Sequence, residues 1–281
     1  MSNIETGIIY AQSGGRDLKL DLYRPPSGKQ THTAVLLLHG GGWRMGDKSM
    51  MELFGPELAR LGFLAVAPEY RLLGEAPWPA QLEDVKAAIR WTAANAVSLD
   101  IYPDRIAVQG FSAGAHLALM AGGTPDMPAF KGSGGSAAVS DRVAAVVAFF
   151  PPIEFTTHAA TPDVSRAAGL LGESATEEEA KQASPVSYVS EDYPPTFLLH
   201  GTADQIIPFT TSRRMFDALS DKGVTVELHL YPHHTHEFVR LPSMLGPVMS
   251  EIALFLKRMV VNPEKYIKEN QELNMFARKE T

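Results

Sequence analysis

The sequence predicts an α/β fold: a mostly parallel central sheet with helices on both faces. Two observations carry this. Short apolar runs of strand length, Ala34–Leu38, Phe63–Tyr70, Ile106–Gln109, Val143–Phe150, Thr196–His200 and Val224–Tyr231, alternate with segments of helical spacing, and such alternation implies parallel strands joined by crossover helices. The run AVLLL at Ala34–Leu38 is apolar at every position, as a strand covered on both faces is.

In chain order, Ile8 to Arg24 forms two alternating segments around Ser13-Gly14-Gly15, which reads as an antiparallel hairpin at a sheet edge. Ala34–Leu38 opens into HGGGW at His39–Trp43, where three glycines let backbone approach something closely. Met50–Leu61 has helical spacing and stops at Gly62. Pro77 and Pro79 precede an amphipathic helix, Ala80–Ala96, with Leu82, Val85, Ile89 and Ala93 on one face. After the strand Ile106–Gln109 comes GFSAG, passing directly into the helix Ala113–Ala121. Thr124–Ser140, with its KGSGGS, reads as a mobile insertion, and the polar, irregular 154–192 as a small cap. Thr211–Asp221, closed by Gly223, and Met244–Met259 supply the last helices. The charged stretch Asn262–Thr281 either extends the final helix or docks on a second copy, which leaves a homo-oligomer open.

The 281 residues suit one such domain with a substantial core, and the even spread of apolar segments favours a single domain over two. A formal charge of −7 with no basic cluster argues against a nucleic-acid surface. The absence of cysteine excludes disulfides, thiolate chemistry and Cys-type metal sites. MSNIETGIIY has neither a basic n-region nor an apolar h-region, and no run is long enough to span a bilayer, so the expectation is a cytoplasmic protein without membrane attachment.

The chemistry centres on Ser112. A tight strand-to-helix turn leaves no room for side chains two residues either side of its tip, which Gly110 and Gly114 satisfy, and it exposes the Ser112 hydroxyl beside the positive end of a helix. A serine becomes nucleophilic when a base takes its proton and a carboxylate orients that base. In an open parallel sheet these partners belong past the C-terminal ends of late strands. Asp204 lies four residues beyond TFLLH, and His236 five beyond Tyr231, giving the order Ser, Asp, His. Glu154 is the alternative acid, and His233 and His234 share the loop with His236; that trio could hold zinc, but no second motif is spaced to complete a site, so no metal and no cofactor are expected. His39, His116 and His200 read as structural hydrogen-bonders. The N–H groups of Ala113, Gly41 and Gly42 are the candidate donors to a developing oxyanion.

HGGGW, EYRLLGEAPWPAQLEDVKAAIRW, GFSAGAHLA, SPVSYVSEDYPPTFLLHGTADQIIP and YPHHTHEF together resemble the α/β-hydrolase superfamily, specifically small bacterial carboxylesterases of the acetylxylan/feruloyl-esterase-like type, and the likeness runs from about Leu18 to Phe255. HGGG and GFSAG also resemble the hormone-sensitive-lipase group, without its long N-terminal cap. The resemblance implies the α/β-hydrolase fold, a Ser112–Asp204–His236 triad and oxyanion donors at Gly41, Gly42 and Ala113. It departs at Glu69, where relatives often carry Asp, and at His233-His234, where they are Gly-rich.

The expectation is therefore a serine carboxylesterase forming an acyl-enzyme on short acyl esters. The alternatives are an amidase of the kynurenine-formamidase type and an inactive hydrolase fold serving as a binding module, because a scaffold does not fix the leaving group. The expected pocket walls are Trp43, Phe111, Phe150, Ile206, Ile207 and Phe238.

Overall fold

A computed structural model describes residues 3–156 and 169–273. Eight strands form one sheet in the order β1-β2-β4-β3-β5-β6-β7-β8. The strands are β1 (Asn3–Ser13), β2 (Arg16–Arg24), β3 (Ala34–Leu38), β4 (Leu64–Pro68), β5 (Ile106–Phe111), β6 (Ala145–Phe149), β7 (Thr196–Gly201) and β8 (Val226–Tyr231). Pairing is antiparallel for β1/β2 and β2/β4 and parallel elsewhere. The edge hairpin, the parallel sheet and the strand positions follow the sequence reading.

From β3 the chain steps to β4 on one side and then to β5 on the other. The strand order reverses there, and the C-terminal ends of β3 and β5 open a crevice at such a point. Those ends carry HGGGW and Ser112.

Side chains alternate across the sheet and sort into two cores. On one face Ile106 and Val108 of β5 pack with Leu82, Val85 and Ile89 of α2 (Ala80–Ala94) and Leu117 of α4 (Ala113–Gly123). On the other, Ala107 and Phe111 pack with Leu58 of α1 (Gly55–Arg60) and with Met249, Ile252 and Phe255 of α7 (Pro242–Leu256). After α2, a one-turn α3 (Ala96–Leu99) precedes β5.

Several boundaries differ from expectation. Met50–Leu61 is split into a 3-10 turn, Lys48–Met51, and α1; Pro56 has no N–H and its ring collides with the carbonyl four residues back, so one helix cannot run through it. The final helix ends at Leu256 in a π turn, Lys257–Val261, and Pro263 starts a separate helix, α8 (Pro263–Leu273), so the tail is not a simple extension of α7.

Thr124–Ser140 is stitched to α2 rather than free. Lys86 Nζ donates to the Thr124 carbonyl and, at 2.7 Å, to Asp141 Oδ1; Arg90 donates to Asp141 Oδ2 at 3.2 Å and to the carbonyls of Lys131 and Gly134. Lys86 and Arg90 are fully buried. Two cations share one carboxylate and spend their remaining donors on loop carbonyls, as buried charges must. Glycine and serine content announced a loop, while its anchors lay 38 to 55 residues back on a helix face.

Of the expected cap, residues 157–168 lie outside the described structure. The described remainder holds α5 (Glu177–Gln182), opened by a Thr176/Glu179 capping box, and a 3-10 turn, Pro185–Tyr188. Ala183 accepts a hydrogen bond from His116 Nε2 of α4 at 2.7 Å. Among the described residues no helix is long and apolar enough to cross a membrane.

Candidate active site

Ser112 sits at the tip of the β5–α4 turn with φ 54° and ψ −115°, a strained conformation for a residue with a side chain. Its N–H is tied to the Phe149 carbonyl at 3.0 Å, and its own carbonyl accepts from His116 N at 3.0 Å. The flanking glycines are obligatory on contact grounds. A Cβ on Gly110 would stand 2.1 Å from the Gly114 carbonyl oxygen, and one on Gly114 would stand 2.3 Å from that of Leu38.

The glycine loop after β3 lies directly against this turn, since a Cβ on Gly40 would meet Phe111 O at 3.1 Å and Ser112 Cβ at 3.4 Å. Gly41 and Gly42 have φ of +114° and +60°. The Gly41 carbonyl is occupied by the amides of Arg44 and Met45, whereas among the described residues nothing accepts from the N–H groups of Gly41, Gly42 or Ala113. These amides are free to meet a ligand.

His236 Nδ1 donates to Asp204 Oδ2 at 2.7 Å. Asp204 Oδ1 accepts the amides of Ile206 and Ile207 at 2.8 and 2.9 Å, and His200 Nε2 lies 3.2 Å from Oδ2. Burial pushes this carboxyl up, but the hydrogen bonds from His200, His236 and Ile207 N–H outweigh it and hold the group well below the usual carboxylate range. Asp204 therefore stays ionised and keeps the Nδ1–H tautomer of His236. The two loops can meet because residue 201 is glycine: a Cβ there would lie 2.2 Å from the His234 carbonyl.

The neighbouring histidines point elsewhere. His233 is exposed, while the His234 ring packs at 5.4 Å on Phe238 and its Nδ1 donates to Pro232 O. Among the described residues no three His, Asp or Glu side chains gather as a metal-holding cluster. Glu154, the alternative acid, is taken by Arg214 and Thr156. His39 stacks on Tyr70 at 4.3 Å and is kept neutral by burial. Burial likewise takes His116 down to about 4.

One cavity of about 480 Å³ is lined by Ser112, Ala113, Gly41, Gly42, Trp43, Ile206, Ile207 and His236, together with Pro152, Gly169 and Glu237. Three expected walls are absent. Phe111 stacks between Phe54 and Phe149 in the lower core, Phe150 is fully buried with its ring 4.2 Å from that of His236, and Phe238 packs on Tyr231. Strand-end position identified them, but side-chain parity sends Phe111 to the face opposite α4, and Phe150 supports the imidazole from behind. The lining residues that sequence reasoning missed were Pro152, Gly169 and Glu237, the last adjacent in sequence to His236.

Residues 20–219 match the BD-FAE family model. The probable carboxylic ester hydrolase LipM of Mycobacterium tuberculosis is 35% identical over 73% of this chain, and this chain covers 49% of that protein. The chain thus spans about half the length of the curated relatives it matches. Among solved structures, a truncated form of a carbohydrate esterase from gut microbiota superimposes with a TM-score of 0.80 at 28% identity, covering 91% of this chain and 97% of that one. Thermogutta terrifontis esterase 2 phosphonylated by sarin gives 0.79 at 26% identity, with 92% and 94% covered. With its α/β-hydrolase sheet and a family match across most of its length, this chain belongs to the BD-FAE family.

Proposed function

We propose that this protein is a serine carboxylesterase acting on short-chain acyl esters, the whole chain working as one catalytic unit. The observation that carries this reading is the convergence on one cavity of a strained Ser112, the His236–Asp204 pair and a loop of unengaged glycine amides. In this reading Ser112 Oγ attacks the ester carbonyl while His236 Nε2 takes its proton. The oxyanion accepts the N–H groups of Ala113, Gly41 and Gly42. His236 then protonates the departing alkoxide, leaving an acyl-Ser112 ester, and a water activated by the same imidazole releases the acid. The esterase names of the relatives support the ester over the amide.

Purified protein assayed on p-nitrophenyl acetate and on N-formylkynurenine tests this. Turnover of the ester, its loss in Ser112→Ala, and stoichiometric labelling of wild type alone by a fluorophosphonate are the expected results. Preference for the formamide would make it an amidase, and indifference to both substrates a binding module.

A further inference from the structure

Asp204 has a second histidine. His200, at the end of β7, is fully buried four residues before it. Its Nε2 lies 2.9 Å from the Ile207 carbonyl and 3.2 Å from Asp204 Oδ2, and its Nδ1 lies 2.8 Å from Ser212 Oγ on α6 (Thr210–Asp221). Both groups facing Nε2 are acceptors, so Nε2 carries the hydrogen and shares it between them. Nδ1 then accepts the Ser212 hydroxyl proton. The other tautomer would set a lone pair against a carbonyl and a carboxylate at a fully buried ring nitrogen, which is costly.

Every lone-pair direction of the Asp204 carboxylate is thereby assigned. Oδ1 takes two backbone amides; Oδ2 takes His236 Nδ1–H from one side and His200 Nε2–H from the other. The backbone amides alone would hold one oxygen and leave the other free to swing. We propose that His200 is a positioning residue for the esterase reaction: through the chain Ser212–His200–Asp204 it fixes the carboxylate plane so that Oδ2 meets His236. The proposal rests on the Ser112–Asp204–His236 reading above and extends it by one shell. A histidine suits the position because its two ring nitrogens reach both α6 and the carboxylate while the ring fills space in the core. Of the titratable groups on the surrounding elements, His200 from β7 contacts the pair, whereas on the loop that carries His236 the His234 ring turns onto Phe238 and Glu237 pairs with Arg240; α6 presents the uncharged Ser212.

The test uses the full chain as wild type, His200→Leu, His200→Gln, Ser212→Ala and Ser112→Ala. Thermal unfolding reports the fold, p-nitrophenyl acetate kinetics across pH report function, and the downfield proton NMR resonance of His236 Nδ1–H reports the pair directly. In metal sites, removing a group that orients a ligand typically costs about 10–100-fold in activity, and the same scale is expected for a group that orients this carboxylate. His200→Leu is expected to lose that much in kcat with KM nearly unchanged, and to broaden or move the downfield resonance. Loss of the His200 donor concentrates charge on Oδ2, makes His236 more basic, and moves the acid limb of the kcat/KM profile to higher pH. His200→Gln, whose amide N–H replaces Nε2–H, recovers most of the rate, and Ser212→Ala shifts the same quantities by less. A folded His200→Leu with wild-type kcat, limb and resonance overturns the role, as does a glutamine variant no better than leucine at equal Tm. If His200→Leu does not fold, a fully wild-type Ser212→Ala together with an unrescued His200→Gln overturns it. A fully active Ser112→Ala would instead sink the triad reading itself, so the two failures are distinguishable.

Discussion

The Asp204 carboxylate is wholly shielded from solvent and accepts the Nδ1–H of His236 at 2.7 Å, while its other oxygen is clamped by two consecutive backbone amides. Such a group cannot rotate to accommodate an amide. In Asp204→Asn the new NH₂ must face either the Ile206 and Ile207 N–H groups or His236 Nδ1. The first choice sets donor against donor, and the second reverses the imidazole tautomer. We expect kcat on p-nitrophenyl acetate to fall about 10⁴-fold, as tautomer reversal does in a Ser-His-Asp triad, with KM changed far less. A residual kcat above a tenth of wild type would show that His236 does not depend on this carboxylate.

The elements that can be read from sequence are those whose reason is local. Gly110 and Gly114 around Ser112 announce a turn because no Cβ fits there, and Ser112, Asp204 and His236 follow the parallel strands β5, β7 and β8, so chain order alone brings them to one edge of the sheet. What stayed hidden depends on which way a side chain faces and on partners distant in sequence. Phe111 and Phe150 sit at strand ends and Phe238 in the loop after β8, as pocket residues would, yet all three belong to the core beneath the site. The anchoring of the 124–140 loop by Lys86 and Arg90 is illegible for the same reason. Charged residues on an amphipathic helix read as a solvated face until the loop that buries them is in view.

His116 makes stability depend on pH. Burial takes its folded pKa down to about 4, below the roughly 6.5 of an unfolded histidine. As pH falls through 6.5, the unfolded chain binds a proton that the folded chain refuses, so stability is full above that pH and is lost between about 6.5 and 4. The loss from pH 7.5 to 4.5 amounts to about 2.5 kcal/mol for this one group. Urea unfolding of wild type and His116→Gln at the two pH values measures it: the variant should lose about that much less on acidification, because glutamine can still donate to the Ala183 carbonyl but has no proton to take up. Parallel losses in both proteins would show that His116 is not the group responsible.

Gly41 is a more severe constraint than a flexible loop would suggest. At φ +114° a side chain is strained, and a Cβ would stand 2.1 Å from the Met45 carbonyl oxygen. Gly41→Ala must therefore reshape the loop that presents the free amides. Backbone strain of this kind costs about 1–3 kcal/mol, and loss of one oxyanion donor costs about 10²–10³ in kcat. The expected variant is folded, lower in Tm, and slower by at least that factor, whereas Gly42→Ala, with open space at its Cβ, loses less stability. Equal activity in Gly41→Ala and wild type would remove this loop from the reaction.

Chain-length preference follows from how the cavity is walled. Trp43 and Ile207 are buried at 4% and 2% exposure and form its apolar floor with Pro152, whereas Ile206 is 55% exposed and Glu237 stands in the rim. Each methylene laid on the floor is worth about 0.8 kcal/mol, or close to fourfold in kcat/KM when the contact persists in the transition state. Once the chain passes Ile206, further methylenes meet water or the Glu237 carboxylate and contribute nothing. Over p-nitrophenyl esters of two to sixteen carbons we expect kcat/KM to peak between acetyl and hexanoyl and to fall steeply by dodecanoyl, without activation by a lipid interface. Glu237→Leu replaces the charge at the rim with apolar surface, so it should move the optimum toward longer acyl groups while leaving the acetyl ester little affected. A wild-type optimum at ten carbons or more, or a Glu237→Leu profile superimposable on wild type, would mean that the acyl chain leaves the serine by another route than past Ile206.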